Sequence, residues 1–214
     1  MVINALRGHC GEFGIVTSKG ACNVNRLIRI IEDCSDERIP DAARTTLLLL
    51  VDQMRAVHDR ITVLEKKLKV WHRGNEASQR LADIPGVGVI TATALVATIG
   101  DASQFRSARQ LSAWLGLVPR QTSSGGKDRL GRISKRGDGY LRRLLVHGAR
   151  AVLRWSRGEK KAGPKQGRTA WQQALLARRP TNVVLVAMAN KTARMVWAML
   201  SRTEPYRPLT ANAA

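Results

Sequence analysis

The stretch Leu47-Leu-Leu-Leu-Val-Asp-Gln-Met-Arg-Ala-Val-His-Asp-Arg-Ile-Thr-Val-Leu-Glu-Lys-Lys-Leu-Lys-Val-Trp71 decides the fold of this chain. Its apolar residues follow one another at alternating steps of three and four, which is the heptad pattern of a coiled-coil seam. The seam consists of Leu47, Leu50, Met54, Val57, Ile61, Leu64, Leu68 and Trp71. The pattern predicts one helix of about 30 residues, roughly 45 Å long, which associates with another helix of the same chain or of a second copy.

A glycine-rich turn follows the heptad region. Gly74-Asn75 is predicted to end the long helix, and Ile84-Pro-Gly-Val-Gly88 then separates a short helix from an alanine-rich one. This order is typical of a helix-hairpin-helix. Gly86 and Gly88 leave backbone N–H groups bare and the second helix directs its positive end at the turn, so a nucleic-acid phosphate can bind there. A tight helix–helix turn without a ligand is the alternative.

A second stretch, Pro119-Arg-Gln-Thr-Ser-Ser-Gly-Gly-Lys-Asp-Arg-Leu-Gly-Arg-Ile-Ser-Lys-Arg-Gly-Asp138, combines hydroxyls, glycines and cations in a loop or a β-hairpin. A hydroxyl held among cations suits attack on a phosphodiester, so Ser123 and Ser124 are candidate nucleophiles. The candidate phosphate-binding residues, here and on the helix that follows, are Lys127, Arg129, Arg132, Lys135, Arg136, Arg142 and Arg143. A flexible loop with a solvated basic face is the alternative.

The charge of the chain is strongly uneven. The 214 residues carry a net charge of +20, and residues 102–214 hold 23 Lys/Arg against 4 Asp/Glu, a balance of +19. A polyanion partner, DNA or RNA, is the simplest reason. A membrane surface is the rival, but the sequence offers no lipidation signal and no apolar run of membrane-spanning length. The three cysteines include no Cys-x-x-Cys pair, which favours reduced thiols in the cytoplasm over a zinc site.

A series of motifs resembles one known family. The motifs, in chain order, are Ile84-Pro-Gly-Val-Gly88, Ile99-Gly-Asp-Ala-Ser-Gln-Phe-Arg-Ser-Ala-Arg-Gln-Leu111, Gly116-Leu-Val-Pro119, Ser123-Ser-Gly125, Gly131-Arg-Ile-Ser-Lys-Arg-Gly137 and Leu141-Arg142. Together they make residues 81–150 similar to the C-terminal domain of the DEDD-type insertion-sequence transposases, the group related to the Piv and MooV DNA invertases.

The resemblance implies a function. Proteins of this family move an insertion element by cutting and joining DNA. They combine four acidic residues of a RuvC-like domain, which bind Mg²⁺, with a C-terminal serine that bonds covalently to DNA. Some members use a structured guide RNA from the element. Ser124 matches the family serine best, and Ser123 is the runner-up.

The resemblance also implies a domain organisation with a mainly α fold. Residues 1–16 resemble the tail of the RuvC-like domain, and residues 17–73 a linker and coiled-coil arm that makes a homo-oligomer through residues 42–71. Residues 74–204 form the C-terminal transposase domain, with the helix-hairpin-helix and the basic Gly/Ser loop or β-hairpin, and residues 205–214 a disordered tail. We expect an N-terminally truncated, nucleoid-associated transposase that needs the missing acidic domain for Mg²⁺ and for activity.

Two other functions are compatible with the charge. The chain could be a non-catalytic DNA- or RNA-binding protein that uses the helix-hairpin-helix and the basic helices, with Ser124 playing no part. It could also be a structural protein associated with RNA, although the heptad region fits this function less well than the others.

Overall fold

The computed structural model describes residues 2–18, 20, 23–122, 129–156 and 169–206. The chain divides into two units, Met1–Lys67 and Leu68–Ala214, and the division falls inside one long helix. The described residues are mainly helical with one two-stranded sheet, so the predicted fold class is confirmed.

The described residues of the first unit contain three α-helices. They are α1 (Val2–Glu12), α2 (Val24–Glu32) and α3 (Asp41–Arg73), of which α3 continues into the second unit. Apolar residues three and four apart give α2 one buried face. The core of the unit consists of Leu6, Cys10, Ile15, Val24, Leu27, Ile28, Ile31, Ile39, Leu47 and Val51. Burial raises the pKa of the Cys10 thiol, which keeps it protonated within this core.

One buried arginine ties the end of α2 to the start of α3. Arg44 is 6% exposed, and its guanidinium donates hydrogen bonds to the carbonyl oxygens of Ile31 at 2.8 Å and Asp33 at 2.6 Å. It also donates to the carbonyl oxygens of Asp36 and Ile39. The last carbonyls of a helix have no partner within the helix, and here a cation satisfies them and complements the negative end of the helix dipole.

The seam of α3 changes character along its length. Leu47 is buried within the first unit, whereas the later seam residues are largely exposed: Val57 45%, Ile61 49%, Leu64 58%, Leu68 37% and Trp71 44%. The helix itself has 33 residues, close to the predicted length, and it ends just before Gly74 as expected. The predicted pairing of this seam with another helix is not tested by the structure and stays a prediction.

The second unit contains the remaining helices and the sheet. Its elements are α4 (Glu76–Ala82), α5 (Val89–Ile99), a 3₁₀ turn (Ala102–Gln104), α6 (Ala108–Trp114), β1 (Pro119–Gln121), β2 (Leu130–Ile133), α7 (Gly139–Trp155), α8 (Ala170–Arg178) and α9 (Thr181–Arg202). β1 and β2 are antiparallel, with Pro119 opposite Ile133 and Gln121 opposite Leu130. The register shifts between these pairs, so the short sheet contains a local irregularity.

Helix α9 is the centre of the second unit, where it contacts α4, α6, α7 and α8. It is long and apolar enough, by length and composition alone, to cross a membrane. However, Val184, Ala189, Ala193 and Val196 are completely buried against neighbouring helices. This burial is that of a core helix, whose apolar character serves the interior of the unit.

Candidate nucleic-acid interface

The turn between α4 and α5 packs closely against α7. Gly86 has a φ of +87°, a region that favours glycine, and a Cβ there would lie 2.7 Å from the carbonyl oxygen of Gly148. The turn is closed by a hydrogen bond of 2.9 Å from the N–H of Val87 to the carbonyl of Ile84. Gly86 therefore allows the turn and α7 to touch backbone to backbone, a packing role that the sequence did not reveal.

Gly88, by contrast, faces open space. It is the N-cap of α5, is exposed, and a Cβ added there would meet no other atom within 4 Å among the described residues. The first backbone hydrogen bond of α5 runs from the N–H of Ala92 to the carbonyl of Gly88 at 2.8 Å. The N–H groups of residues 89–91 precede it and lack a helical acceptor, so this helix end has the geometry that attracts an anion.

The β1–β2 pair is anchored to the end of α6. Gly116 and Gly137 have φ values of +69° and +79°, and a Cβ at Gly137 would overlap the carbonyl oxygen of Trp114. The N–H of Lys135 donates to the carbonyl of Gly116 at 3.2 Å, and that of Ser134 donates to the carbonyl of Val118 at 2.9 Å. These contacts fix the base of the sheet on α6.

Arg142 completes this anchor. Its Nη1 donates hydrogen bonds to the carbonyl oxygens of Leu115 at 2.9 Å and Arg136 at 3.2 Å. The side chain is only partly exposed, and two of its directed donor interactions go to the protein itself. The geometry thus gives Arg142 a role in holding the sheet, beside the phosphate contact that the sequence suggested for it.

The other candidate cations are distributed around this anchor. Arg132, Lys135 and Arg136 are exposed along β2 and its exit, and Lys135 has a φ of +56°. Arg129, which has an interaction partner, and Arg143 on α7 are also exposed. Arg132, Lys135 and Arg136 are therefore exposed on β2 or just after it, and Arg142 joins them through its hydrogen bond to the backbone of Arg136. Ser123, Ser124 and Lys127 lie outside the described residues, between the two strands in sequence.

Two carboxylates of the second unit have structural roles. Asp138 caps α7, where Oδ1 accepts hydrogen bonds from the N–H groups of Tyr140 at 2.7 Å and Leu141 at 2.9 Å. Asp101 caps the 3₁₀ turn, and hydrogen bonds from Ser103 lower the pKa of its carboxyl group. No group of three or more His, Cys, Asp or Glu residues in the described part of the chain could hold a metal. The resemblance assigns Mg²⁺ to the acidic residues of the RuvC-like domain, and that expectation stays a prediction.

An aromatic–cation pair was missed by the sequence reasoning. The Nζ of Lys191 on α9 lies 4.7 Å from the ring centroid of Trp171 on α8, which is a cation–π contact. The two residues stand in different helices, and only the packing of α8 on α9 brings them together. No spacing rule within one helix could have found them.

Known proteins resemble this chain over most of its length. Residues 78–163 match the model of the family described as Transposase IS116/IS110/IS902. The chain is 47% identical over 206 residues to a probable family 20 transposase of Pseudomonas aeruginosa, a match that covers 96% of this chain and 60% of that relative. It is 40% identical over 206 residues to the transposase for insertion sequence element IS1111A of Coxiella burnetii, covering 96% and 55%.

A shorter match joins the chain to an inverting protein. The pilin gene-inverting protein of Moraxella bovis is 38% identical over 80 residues, which are 35% of this chain and 24% of that protein. The chain thus spans little more than half the length of the two transposases, and a smaller part of the inverting protein.

Proposed function

Because residues 78–163 match the IS116/IS110/IS902 transposase family, we propose that this chain is the DNA-binding and strand-joining part of an insertion-element transposase. The observation that carries the proposal is the anchored β1–β2 pair. Arg132, Lys135 and Arg136 are exposed on β2 or just after it, and Ser123 and Ser124 stand between the two strands in sequence.

The first step is binding to the DNA backbone. The open N-terminus of α5 at Gly88 offers N–H groups to a phosphate, and the exposed cations near β2 offer charge. Neither contact reads base identity, so this binding is independent of sequence. A structured guide RNA carries the same phosphate chemistry and is the other partner we propose, and DNA binding would place the protein at the nucleoid in the cytoplasm.

A salt titration tests this step. If about six phosphates are contacted, the logarithm of the binding constant for duplex DNA should fall with the logarithm of the salt concentration at a slope near −5. Lys127→Ala should weaken binding and flatten that slope by about one. A slope near zero for the unmodified chain would refute nucleic-acid binding.

The second step is covalent. The Ser124 hydroxyl oxygen forms a bond to the phosphorus of a DNA phosphodiester while the bond from that phosphorus to the neighbouring sugar oxygen breaks, and the departing oxygen takes up the proton that the serine loses. Arg132 and Lys135 would stabilise charge on the non-bridging oxygens. A serine hydroxyl is a weak nucleophile that needs an activating base, and we assign that help to the acidic RuvC-like domain that the resemblance implies. We therefore expect this chain alone not to cut DNA.

A chimera separates chemistry from binding. The part of the Pseudomonas transposase that this chain lacks would be fused to it, and labelled element-end DNA would be tested for an adduct that survives denaturation. Ser124→Ala should abolish the adduct and leave duplex binding nearly intact, while Ser123→Ala should keep both. Loss of the adduct in Ser123→Ala alone would move the nucleophile by one position, and unchanged adduct formation by Ser124→Ala would refute a serine mechanism at that residue.

A purely binding function is the second candidate, and one observation favours it. Two described carboxylates of the second unit, Asp101 and Asp138, are used as caps of a 3₁₀ turn and of α7. A protein with only the binding step would show the salt dependence described above. Its chimera would form no adduct even with both Ser123 and Ser124 present.

Self-association through residues 42–71 is part of the same proposal. Val57, Ile61 and Leu64 are each about half exposed in one seam of α3. Packing this seam against a second helix would remove their apolar surface from water, which favours association. A two-fold pairing of seams would bring two serine-bearing segments into one assembly, which suits the joining of two DNA partners.

A further inference from the structure

A groove lies between the β1–β2 pair, α8 and α9 in the second unit. Its volume is about 1320 Å³, and its apolar lining includes Ile133 of β2 and Val183, Val186 and Met195 of α9. Sites for drug-sized ligands occupy about 300–1,000 Å³. The groove is therefore large enough for a segment of a polymer, and its apolar lining suits a flat, weakly hydrated group.

The charged residues that line the groove have one sign. Five cations contribute to it, namely Arg132, Lys135, Lys191, Arg194 and Arg202, and none of the described lining residues is an Asp or Glu. An apolar cleft bordered only by cations is complementary to a chain that carries both flat apolar groups and anions. Arg132 lies on β2, and Lys135 follows the end of that strand by two residues.

Trp171 gives the groove an aromatic face. Its side chain is 39% exposed and lines the groove, with the Lys191 ammonium 4.7 Å from its ring centroid. The ring stands in the first turn of α8, which a capping box fixes: Thr169 accepts from the N–H of Gln172 and donates its own N–H to the Gln172 side chain at 2.9 Å. Stacking aromatics among cations are the usual means of holding unpaired nucleotides.

We propose that this groove binds an unpaired segment of DNA, with a base stacked on Trp171 and the flanking phosphates on the cations of Arg132, Lys191 and Arg194. This inference rests on the proposed function, because the strands that a transposase exchanges must leave their duplex. In a duplex the base faces are already stacked, so only an unpaired base can use the Trp171 ring. A strand held here lies against the same sheet that carries the serine-bearing segment in sequence.

Fluorescence anisotropy with a labelled twelve-residue oligothymidylate tests the groove. Trp171→Ala should weaken binding of this single strand by about 5-fold or more, since stacking contributes about 1–3 kcal/mol per base, and Trp171→Phe should restore most of the affinity. Lys191→Ala should also weaken it. The matched controls are Trp155→Ala, an exposed tryptophan of α7 outside the groove, and Arg178→Ala on α8, and both should bind within about two-fold of the unmodified chain.

Photocrosslinking gives a second measurement that does not depend on the stability of a variant. An oligonucleotide with 5-iodouracil should form an adduct on the tryptic peptide of residues 169–178, in which Trp171 is the one aromatic residue. Unaltered single-strand affinity in Trp171→Ala, or crosslinks confined to other peptides, would overturn the proposal. Trp171-dependent binding that is tighter for an RNA of the same sequence, or for an acidic peptide, would overturn the assignment to DNA.

The two proposals fail in different ways. If duplex DNA shows the expected salt slope while Trp171→Ala leaves single-strand binding unchanged, the groove inference alone is wrong. If the unmodified chain binds neither form of DNA with a salt dependence, the proposed function is wrong as well.

Discussion

The contact between Gly86 and Gly148 allows a sharp test of how the turn before α5 is held. In Gly148→Ala, the new Cβ would overlap the carbonyl oxygen of Gly86 and would lie 2.9 Å from its carbonyl carbon. Both neighbours are backbone atoms, which cannot rotate away as a side chain could. Overpacking costs about 1–3 kcal/mol, and alanine in a helix interior returns up to about 1 kcal/mol relative to glycine.

We therefore expect Gly148→Ala to lower the free energy of unfolding of the second unit by about 1 kcal/mol, which corresponds to a fall in Tm of about 2–4 °C. Calorimetry and urea denaturation would measure it. Gly8→Ala is the matched control, because Gly8 also stands within a helix but has no other described atom within 4 Å of its Cβ position. It should be neutral or stabilising by up to about 1 kcal/mol. A Gly148→Ala protein that melts like the unmodified chain would refute the contact.

Three further predictions concern the first unit and α3. Val57→Asp should reduce the mass seen in light scattering to that of the monomer, because an unpaired charge buried in the seam costs roughly 3–5 kcal/mol. Val63→Asp, similarly exposed but away from the seam, should not, and an unchanged mass for Val57→Asp would contradict pairing. Arg44→Met should destabilise the first unit by about 3 kcal/mol in urea denaturation, because several carbonyls lose a charged donor, and a loss under about 1 kcal/mol would show that these bonds matter little. A hydrogen bond from the Arg38 guanidinium lowers the pKa of Asp36 from 3.8 to about 2. The stability that this interaction adds is therefore present above about pH 4 and is lost as the pH falls towards 2. Asp36→Asn should remove that part of the pH dependence of thermal unfolding, and its persistence would point to other groups.

The long helix was the part of the fold that the sequence predicted best. Its heptad pattern is local and repeats from Leu47 to Trp71, so the helix follows from the spacing, and Gly74-Asn75 indicates its end. The apolar spacing of Phe105, Ala108 and Leu111 predicts a helix from Phe105, whereas α6 begins only at Ala108. Ser107 accepts a hydrogen bond from the N–H of Gln110 and caps α6 there, while residues before it form the 3₁₀ turn. Side-chain capping by serine competed with helix continuation, and sequence spacing does not report that competition.

The candidate site was predictable only in its residue types. Charge and glycine content identified the basic stretch and the turn at Gly88, because those signals are contiguous in sequence. The close approach of Gly86 to α7 depends on how distant helices pack, as does the hydrogen bond from Asn190 Nδ2 to the carbonyl of Leu117 at 3.2 Å. The Trp171–Lys191 pair has the same origin. Such features arise from tertiary packing and carry no local pattern.

The anchored β1–β2 pair has a consequence for how such a protein can vary. Gln121 and Leu130 are held opposite each other, roughly 5 Å apart as neighbouring strands are, whatever chain joins them. Closing a longer connection costs only about 0.6 kcal/mol for each doubling of its length. We therefore expect that changes in the length of the connection between β1 and β2, which contains Ser123 and Ser124 in sequence, cost the sheet little folding energy.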